Sequence, residues 1–333
     1  MMLYIVSESH NEQENIFEKT CNSTGIDYRL LNFADPYLNI SIQDEKILIN
    51  GSSVNFADTF YLNNIRPEFP FIPAPEPDTG YRAFSDSYVS LQQRKSHYYS
   101  VLSVLSRNCR VVNNFEKYKD MYSKIDMLNK LNDTGLQIAE YCITNNIKCL
   151  YRNILQNEKI FFWSCVEHQS PIKRINLNKL PELLSIENDT PYILYKMNEG
   201  RNVRIWILGG HPVMAALVTD PEYEKGVLSL EKYEYIYELG FFKKDAEMIY
   251  EKFDLDFIEV YGIVDAEERF HIYGIDILPS FSGLDEKAGK WLAGKVLEYL
   301  TGKRSEYPAP DKGIRATVFL KKMLEPLIDS DMS

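Results

Sequence analysis

A run of β-type sequence between residues 191 and 278 limits what this chain can fold into. It opens with PYILYKM, NVRIWILGG and HPVMAALVT, which are separated by glycines at Gly200 and Gly209–Gly210. After a predicted helix at 244–253, FIEVYGIVD and RFHIYGIDIL predict a hairpin. The chain has 333 residues, and single cores stop growing near roughly 250 to 300 residues. We therefore expect two or three lobes, with the strongest β signal in the C-terminal half.

The N-terminal part has the pattern of an open α/β lobe, in which strand, helix and strand follow one another. No G-x-G-x-x-G follows the first strand, so a Rossmann dinucleotide site is not indicated. Residues 66–80 hold five of the fifteen prolines, a density that predicts an ordered loop or an extended excursion. Strands are predicted at 2–7, 26–33 and 59–64, helices at 11–24 and 82–107, and a hairpin at 46–50 and 53–56.

The middle and the end of the chain alternate between strand and helix patterns. Further strands are predicted at 110–113, 139–145, 148–154 and 159–167, and helices at 116–133, 176–187, 284–301 and 314–327.

Composition excludes several functional classes. The net charge of −11 argues against a nucleic-acid binder, which needs a basic face to displace counterions. No run of 18 or more apolar residues occurs, so we expect no membrane-spanning helix, and the N-terminus lacks the pattern of a signal peptide. The five cysteines are odd in number and show no C-x-x-C spacing, which predicts free thiols in a reducing cytoplasm.

Three segments resemble the ATP-grasp superfamily in their order and spacing. Residues 111–146 are similar to its strand–helix entry, and 193–217 to the segment that ends in R-V-x-V-x-G-G-x-V-x-A. Residues 255–283 are similar to its closing metal-binding hairpin. The N-terminal part, with MLYIVSESHNE, a strand before Arg66–Pro67 and a long helix, resembles the graspetide ligases, which crosslink ribosomal peptides. Ligases that add glutamate to a ribosomal protein's tail are the next most similar group.

The resemblance implies an α/β (α+β) ATP-grasp fold in which two lobes clasp a nucleotide. It implies an N-terminal pre-ATP-grasp domain at 1–110, a small lid lobe at 111–195 and a C-terminal lobe with the metal-binding hairpin at 196–333. The implied function is an ATP- and Mg²⁺-dependent ligase. It would phosphorylate a carboxylate of a peptide or small molecule, then join it to an amine or hydroxyl. Ribosomal peptide maturation is the implied context, and a homodimer is compatible with the resemblance.

The resemblance also assigns residues to the nucleotide. Lys124 and Arg152 stand where the two lysines that bind phosphate belong, and arginine keeps the charge without being equivalent to lysine. Lys196 and Met197 fall in the strand expected to bind adenine through its backbone, and Asn202 takes the place of a ribose-binding acid. From sequence alone, Lys124 is also compatible with a solvated helix lysine, and Arg152 with a structural ion pair.

The metal-binding hairpin departs from the family pattern. Alignment on Pro279 places Tyr261 and Gly274 where two carboxylates are expected. However, if 261 faces 274 across an antiparallel pair, then Glu259 faces Asp276, with a turn near 267–268. Two carboxylates at so short a distance repel one another unless a cation or a shared proton neutralises them. Glu259 and Asp276 are therefore candidate Mg²⁺ ligands.

Three alternatives stay open for this region. Glu259 and Asp276 are also compatible with an exposed, hydrated sheet face. Asp265 is a third acidic candidate but is more typical of a turn residue. Arg204, which matches the motif of its segment, is expected to stabilise charge during catalysis, although a polar residue on such a strand is normally exposed or satisfied locally.

The altered hairpin supports a second hypothesis about function. The chain would then be a catalytically degenerate ATP-grasp relative that binds a peptide or a nucleotide, or that supports an active partner subunit. Signatures of other chemistries, such as G-x-x-x-x-G-K-[ST], H-E-x-x-H and G-x-S-x-G, do not occur.

Overall fold

The structure is a computed structural model of the whole chain. It describes residues 1–8, 11–35, 37–43, 46–63, 65, 81–118, 123–146, 161–165, 173–175, 192–196, 200–218, 233–236, 239–281, 284–305, 307–309 and 313–314.

The chain divides into two compact units. Unit 1 comprises residues 1–120 and 297–305, and unit 2 comprises 121–296 and 306–333. The division into three domains at 110 and 195 stays a prediction.

Unit 1 contains a parallel sheet and a small antiparallel sheet. The parallel sheet has the strand order β2-β1-β6-β7, and the antiparallel sheet has the order β3-β4-β5. The elements are β1 (Leu3–Ser7), α1 (Glu12–Thr24), β2 (Tyr28–Asn32), β3 (Ile40–Gln43), β4 (Lys46–Ile49), β5 (Ser52–Ser53), β6 (Thr59–Asn63), α2 (Tyr81–Asn108), β7 (Arg110–Val112) and α3 (Phe115–Tyr118).

Local sequence signals account for the start of unit 1. All five residues of β1 are buried, as expected for a central strand of a parallel sheet. The side chain of Asn11 caps α1 by accepting a hydrogen bond from the backbone N–H of Glu14 at 3.0 Å. The helix ends at Gly25, whose φ of 62° is the left-handed conformation that glycine adopts without strain.

Unit 2 is built on two sheets. One has the order β10-β9-β11-β8 and is antiparallel. The other has the order β16-β15-β12-β13-β14-β17, and its neighbouring described strands pair antiparallel except for β14 with β17, which are parallel. The elements are α4 (Lys124–Asn132), β8 (Tyr141–Thr144), β9 (Phe161–Cys165), β10 (Lys173–Ile175), β11 (Tyr192–Lys196), β12 (Arg201–Leu208), β13 (His211–Val218), β14 (Tyr233–Ile236), α5 (Lys243–Phe253), β15 (Phe257–Val264), β16 (Phe270–Asp276), α6 (Glu286–Thr301, shared between the units) and β17 (Gly313–Ile314).

The six-stranded sheet holds much of the core of unit 2. Apolar residues alternate along β12 and β15, where Val203, Ile205, Ile258 and Val260 are at most 1% exposed. The intervening positions carry the polar residues of the candidate site described below. The alternation therefore separates an apolar face of the sheet from a polar one.

The helix predicted at 116–133 is wrong as a single element. Helix α3 ends at Tyr118 and α4 begins at Lys124. Ser123 separates them, because its hydroxyl accepts a hydrogen bond from the N–H of Asp126 at 3.3 Å and so caps a new helix. Lys124 is therefore the first residue of a helix.

Two further differences concern short strands. Strand β3 was not predicted. It pairs with β4, so the hairpin predicted at 46–50 and 53–56 is part of a three-stranded sheet with β4 in the middle. Ile314 lies in β17 rather than at the start of the helix predicted at 314–327. The rest of that helix, the predicted strand at 148–154 and the predicted helix at 176–187 lie outside the described residues.

Among the helices that the structure describes, none combines the length and the apolar character needed to cross a bilayer. Cys21, Cys109 and Cys142 are free thiols. For Cys149 and Cys165 the free thiol stays a prediction.

Candidate active site

The polar face of the six-stranded sheet brings together several of the predicted site residues. In β15 and β16, Glu259 pairs directly with Asp276, as the sequence predicted. In the next row on the same face, Arg204 of β12 pairs with Tyr261 of β15, which pairs with Gly274 of β16. Three adjacent strands thus place a cation and two carboxylates on one surface.

A β-bulge between Tyr261 and Gly262 shifts the register beyond this row. The hairpin turn nevertheless lies where it was predicted, between Asp265 and Arg269. Oδ1 of Asp265 accepts hydrogen bonds from the N–H groups of Glu267 at 3.0 Å and Arg269 at 2.9 Å. Asp265 therefore holds the turn.

Arg204 and Glu259 form a buried ion pair. Nε of Arg204 donates to Oε1 of Glu259, and the two residues are 8% and 0% exposed. The guanidinium carbon lies 5.1 Å from the ring centroid of Trp206 and 5.4 Å from that of Tyr261. The aromatic rings and the carboxylate hold the charge of Arg204 in a fixed place.

Asp276 is half-buried beside this pair. Burial and the nearby charge of Glu259 raise the pKa of Asp276 to about 7, although the positive charges of Lys124 and Arg204 and a hydrogen bond from Leu278 oppose the shift. That hydrogen bond runs from the N–H of Leu278 to Oδ1 of Asp276 at 2.8 Å. Since the charge of Lys124 acts on Asp276, the predicted phosphate-binding lysine belongs to this electrostatic environment.

Burial and the same carboxylates act on Tyr261. Its pKa is raised well above its usual value by burial and by the charges of Glu259 and Asp276, while Arg204 opposes the shift. Tyr261 is therefore a neutral phenol at physiological pH.

Three polar atoms on this face are buried without a hydrogen-bond partner among the described residues. They are Oδ1 of Asn202, Nε1 of Trp206 and Oε2 of Glu259. Buried polar groups in folded proteins are normally paired. Asn202 and Trp206 flank Arg204 on β12, and Glu259 is its ion-pair partner, so the three atoms are grouped around Arg204.

The residues present fit a Mg²⁺ ion. Mg²⁺ is commonly held by one or two carboxylates together with phosphate oxygens of a substrate, and Oε2 of Glu259 is a buried oxygen with no partner among the described residues, next to Asp276. Within those residues no group of three or more His, Cys, Asp or Glu side chains is placed to hold a metal. Any such site would therefore depend on the two carboxylates and on a bound phosphate.

The other predicted nucleotide residues are only partly placed. Asn202 lies on β12, pairs with Ile263 and is half-buried. Lys196 ends β11, and Arg152 and Met197 lie outside the described residues.

Sequence reasoning did not assign a role to Trp206. It is fully buried two residues after Arg204 and pairs with Glu259. Its position two residues from Arg204 on a predicted strand is the sequence signal that places it on the same face.

No protein-family profile and no curated protein sequence matches the chain. Solved structures do match. The ATP-grasp ligase PsnB, in a structure with a minimal precursor, Mg and ADP, is 14% identical with a TM-score of 0.70, covering 89% of this chain and 96% of PsnB. The chain has the ATP-grasp fold.

Two further solved structures with peptide partners are similar to this chain over most of its length. The macrocyclase MdnC from Microcystis aeruginosa MRC, bound with the precursor peptide MdnA, is 14% identical with a TM-score of 0.66, covering 89% of this chain and 99% of MdnC. A Chryseobacterium gregarium RiPP-associated ATP-grasp ligase, in complex with ADP and with a leader and core peptide, is 13% identical with a TM-score of 0.64, covering 92% and 99%. The resemblance to graspetide-type ligases and the predicted fold class are thus confirmed.

Proposed function

We propose that this ATP-grasp chain is an ATP-dependent ligase that activates a carboxylate of a peptide as an acyl phosphate and joins it to an amine or a hydroxyl. The observation that carries the proposal is the grouping of Arg204, Glu259 and Asp276 on one sheet face of an ATP-grasp fold. Structurally similar proteins that bind ADP and precursor peptides support a peptide as the substrate.

In the proposed reaction, a carboxylate oxygen of the peptide attacks the γ-phosphorus of ATP and ADP leaves. The amine or hydroxyl then attacks the carbonyl carbon, loses its proton and displaces phosphate. Both steps build negative charge on oxygen, which fixed cations stabilise. Arg204 is suited to this role, because its position is set by Glu259 and by two aromatic rings before any substrate binds.

We assign the nucleotide to the residues that the family resemblance indicates. Lys124 and Arg152 would bind phosphate oxygens, the backbone at Lys196 and Met197 would bind adenine, and Asn202 would accept a hydrogen bond from a ribose hydroxyl through its unpaired Oδ1.

Glu259 and Asp276 would hold Mg²⁺. When bound, the ion would neutralise charge on the phosphates. The repulsion between the two carboxylates would fall at the same time, because a cation favours their ionised forms.

A second candidate is a nucleotide- or peptide-binding relative without turnover. The observation that favours it is the row Arg204–Tyr261–Gly274, in which a phenol and a glycine stand where the family pattern predicts carboxylates. A nucleotide-binding relative of this kind would bind ATP but would not release ADP in the presence of any peptide.

Hydroxylamine trapping distinguishes the two candidates. The chain is incubated with Mg²⁺, ATP and peptides that carry Asp or Glu together with Ser, Thr or Lys, and ADP and peptide hydroxamate are measured. We expect peptide-dependent ADP and a hydroxamate, since hydroxylamine intercepts an acyl phosphate. Both products should be lost in Asp276→Asn and kept in Asp126→Asn, which changes an exposed carboxylate on α4. ATP binding without either product would favour the second candidate.

A further inference from the structure

We propose that Trp206 is a ligand-contacting residue whose indole N–H donates a hydrogen bond to an anionic oxygen, either of the substrate carboxylate or of a phosphoryl group. The identity of those two groups rests on the function proposed above, and the assignment of Trp206 rests on the geometry of the sheet.

The indole of Trp206 is buried with its polar atom unpaired. The residue is 0% exposed, and Nε1 has no hydrogen-bond partner among the described residues. An indole N–H is a donor only, so it can be satisfied only by an acceptor. Burying it unpaired costs free energy that a packing residue such as phenylalanine would not incur. A tryptophan here is therefore best explained by an acceptor that arrives with a ligand.

Strand register places this donor within the candidate site. Trp206 lies two residues after Arg204 on β12, so both side chains are on one face of the sheet. Trp206 also pairs across the sheet with Glu259, which in turn pairs with Asp276. Trp206 is thus in the same row as the two carboxylates.

The neighbouring charge decides which kind of acceptor fits. The guanidinium carbon of Arg204 lies 5.1 Å from the centroid of the Trp206 ring. An oxygen next to both groups receives a directed hydrogen bond from the indole and positive charge from Arg204, which the ion-paired carboxylate of Glu259 shares. A charged donor together with a directed N–H favours an oxyanion over a neutral carbonyl. Carboxylate and phosphoryl oxygens share this chemistry.

The first test is the nitrogen-15 resonance of the indole N–H. The chain has three tryptophans, and the variants Trp163→Phe and Trp291→Phe identify the Trp206 signal by elimination, each checked by calorimetry to bind the probes as the wild type does. Two probes are titrated separately: AMPPNP with Mg²⁺, and N-acetyl-glutamic acid amide. We expect the Trp206 signal to move downfield with at least one probe while the Trp291 signal stays in place. The probe that moves it identifies the source of the oxyanion.

The second test is Trp206→Phe, which keeps an aromatic ring beside Arg204 and removes the donor. We expect the affinity for the responding probe, measured by calorimetry, to fall about tenfold, as for loss of a hydrogen bond to a charged group. Trp291→Phe, a change on α6, should leave the affinity unchanged.

The outcomes separate the two proposals. If calorimetry shows a probe binding to the wild type while the Trp206 resonance does not move, the assignment of Trp206 is overturned and the proposed function stands. If neither probe binds, both are overturned.

Discussion

Nε of Arg204 donates to Oε1 of Glu259 at a place where the carboxylate is fully removed from solvent. Removing one member of a buried ion pair leaves an uncompensated charge, which typically costs about 3–5 kcal/mol. We therefore expect Arg204→Ala to lower the free energy of unfolding by about that amount, measured by urea denaturation.

The matched control for this prediction is the double variant Arg204→Ala with Glu259→Gln. Because the double variant removes both charges, its free energy of unfolding should be closer to that of the wild type than that of Arg204→Ala is. A single variant as stable as the wild type would show that Glu259 is not buried as an ion.

Asp276 is predicted to reduce stability at neutral pH. Its folded-state pKa of about 7 lies above its usual value of 3.8. Between these two pH values the carboxyl group of Asp276 is protonated in the folded protein and ionised in the unfolded chain. Its contribution to stability therefore falls as the pH rises from about 4 to about 7. Asp276→Asn keeps an acceptor for the N–H of Leu278, and we expect it to raise the free energy of unfolding at pH 8 by about 1–2 kcal/mol.

Stability of this variant is measured in the absence of Mg²⁺ and nucleotide, with Asp126→Asn as the control at an exposed position. A loss of stability in Asp276→Asn at pH 8 would mean that the ionised carboxylate stabilises the fold.

Gly262 lies where β15 and β16 approach closely at the bulge. A Cβ there would lie 2.2 Å from Cε2 of Phe270 and 2.8 Å from the carbonyl oxygen of His271. We expect Gly262→Ala to destabilise the fold by about 1–3 kcal/mol, the usual range for overpacking. Gly240→Ala is the control, because a Cβ at Gly240 meets nothing within 4 Å. Equal melting temperatures for the two variants would contradict this account of the bulge.

Part of the candidate site could be predicted from the sequence because paired positions in a hairpin share a constant sum. Alignment on Pro279 places Tyr261 opposite Gly274, and the pairing of Glu259 with Asp276 follows from that. The bulge between Tyr261 and Gly262, which shifts the register toward the turn, was not predicted. The ion pair of Arg204 with Glu259 joins residues 55 positions apart, and no local pattern links them. The helix boundary at Ser123 did carry a signal, since Ser-x-x-Asp is typical of a helix start.

Asp265 is predicted to contribute to stability in acid. Burial alone would raise its pKa, but hydrogen bonds from Arg269 and His271 lower it to about 2. Since this value lies below that of the unfolded chain, the contribution is present above about pH 4 and is lost as the pH falls toward about 2. We expect Asp265→Asn to be less stable than the wild type at pH 7 by about 1–2 kcal/mol and the difference to shrink in acid. A difference in the free energy of unfolding between the two proteins that stays constant from pH 7 to about pH 2 would contradict this role of Asp265.

Calorimetric titration of ATP, with and without Mg²⁺, into the wild type and Asp276→Asn tests the central claim most directly, namely that the paired carboxylates of β15 and β16 form the metal site of an ATP-binding protein. We predict that the wild type binds ATP more tightly with Mg²⁺ and that Asp276→Asn, although folded, loses the dependence on Mg²⁺. Binding that is equally dependent on Mg²⁺ in both proteins, or no ATP binding by the wild type, would contradict the claim.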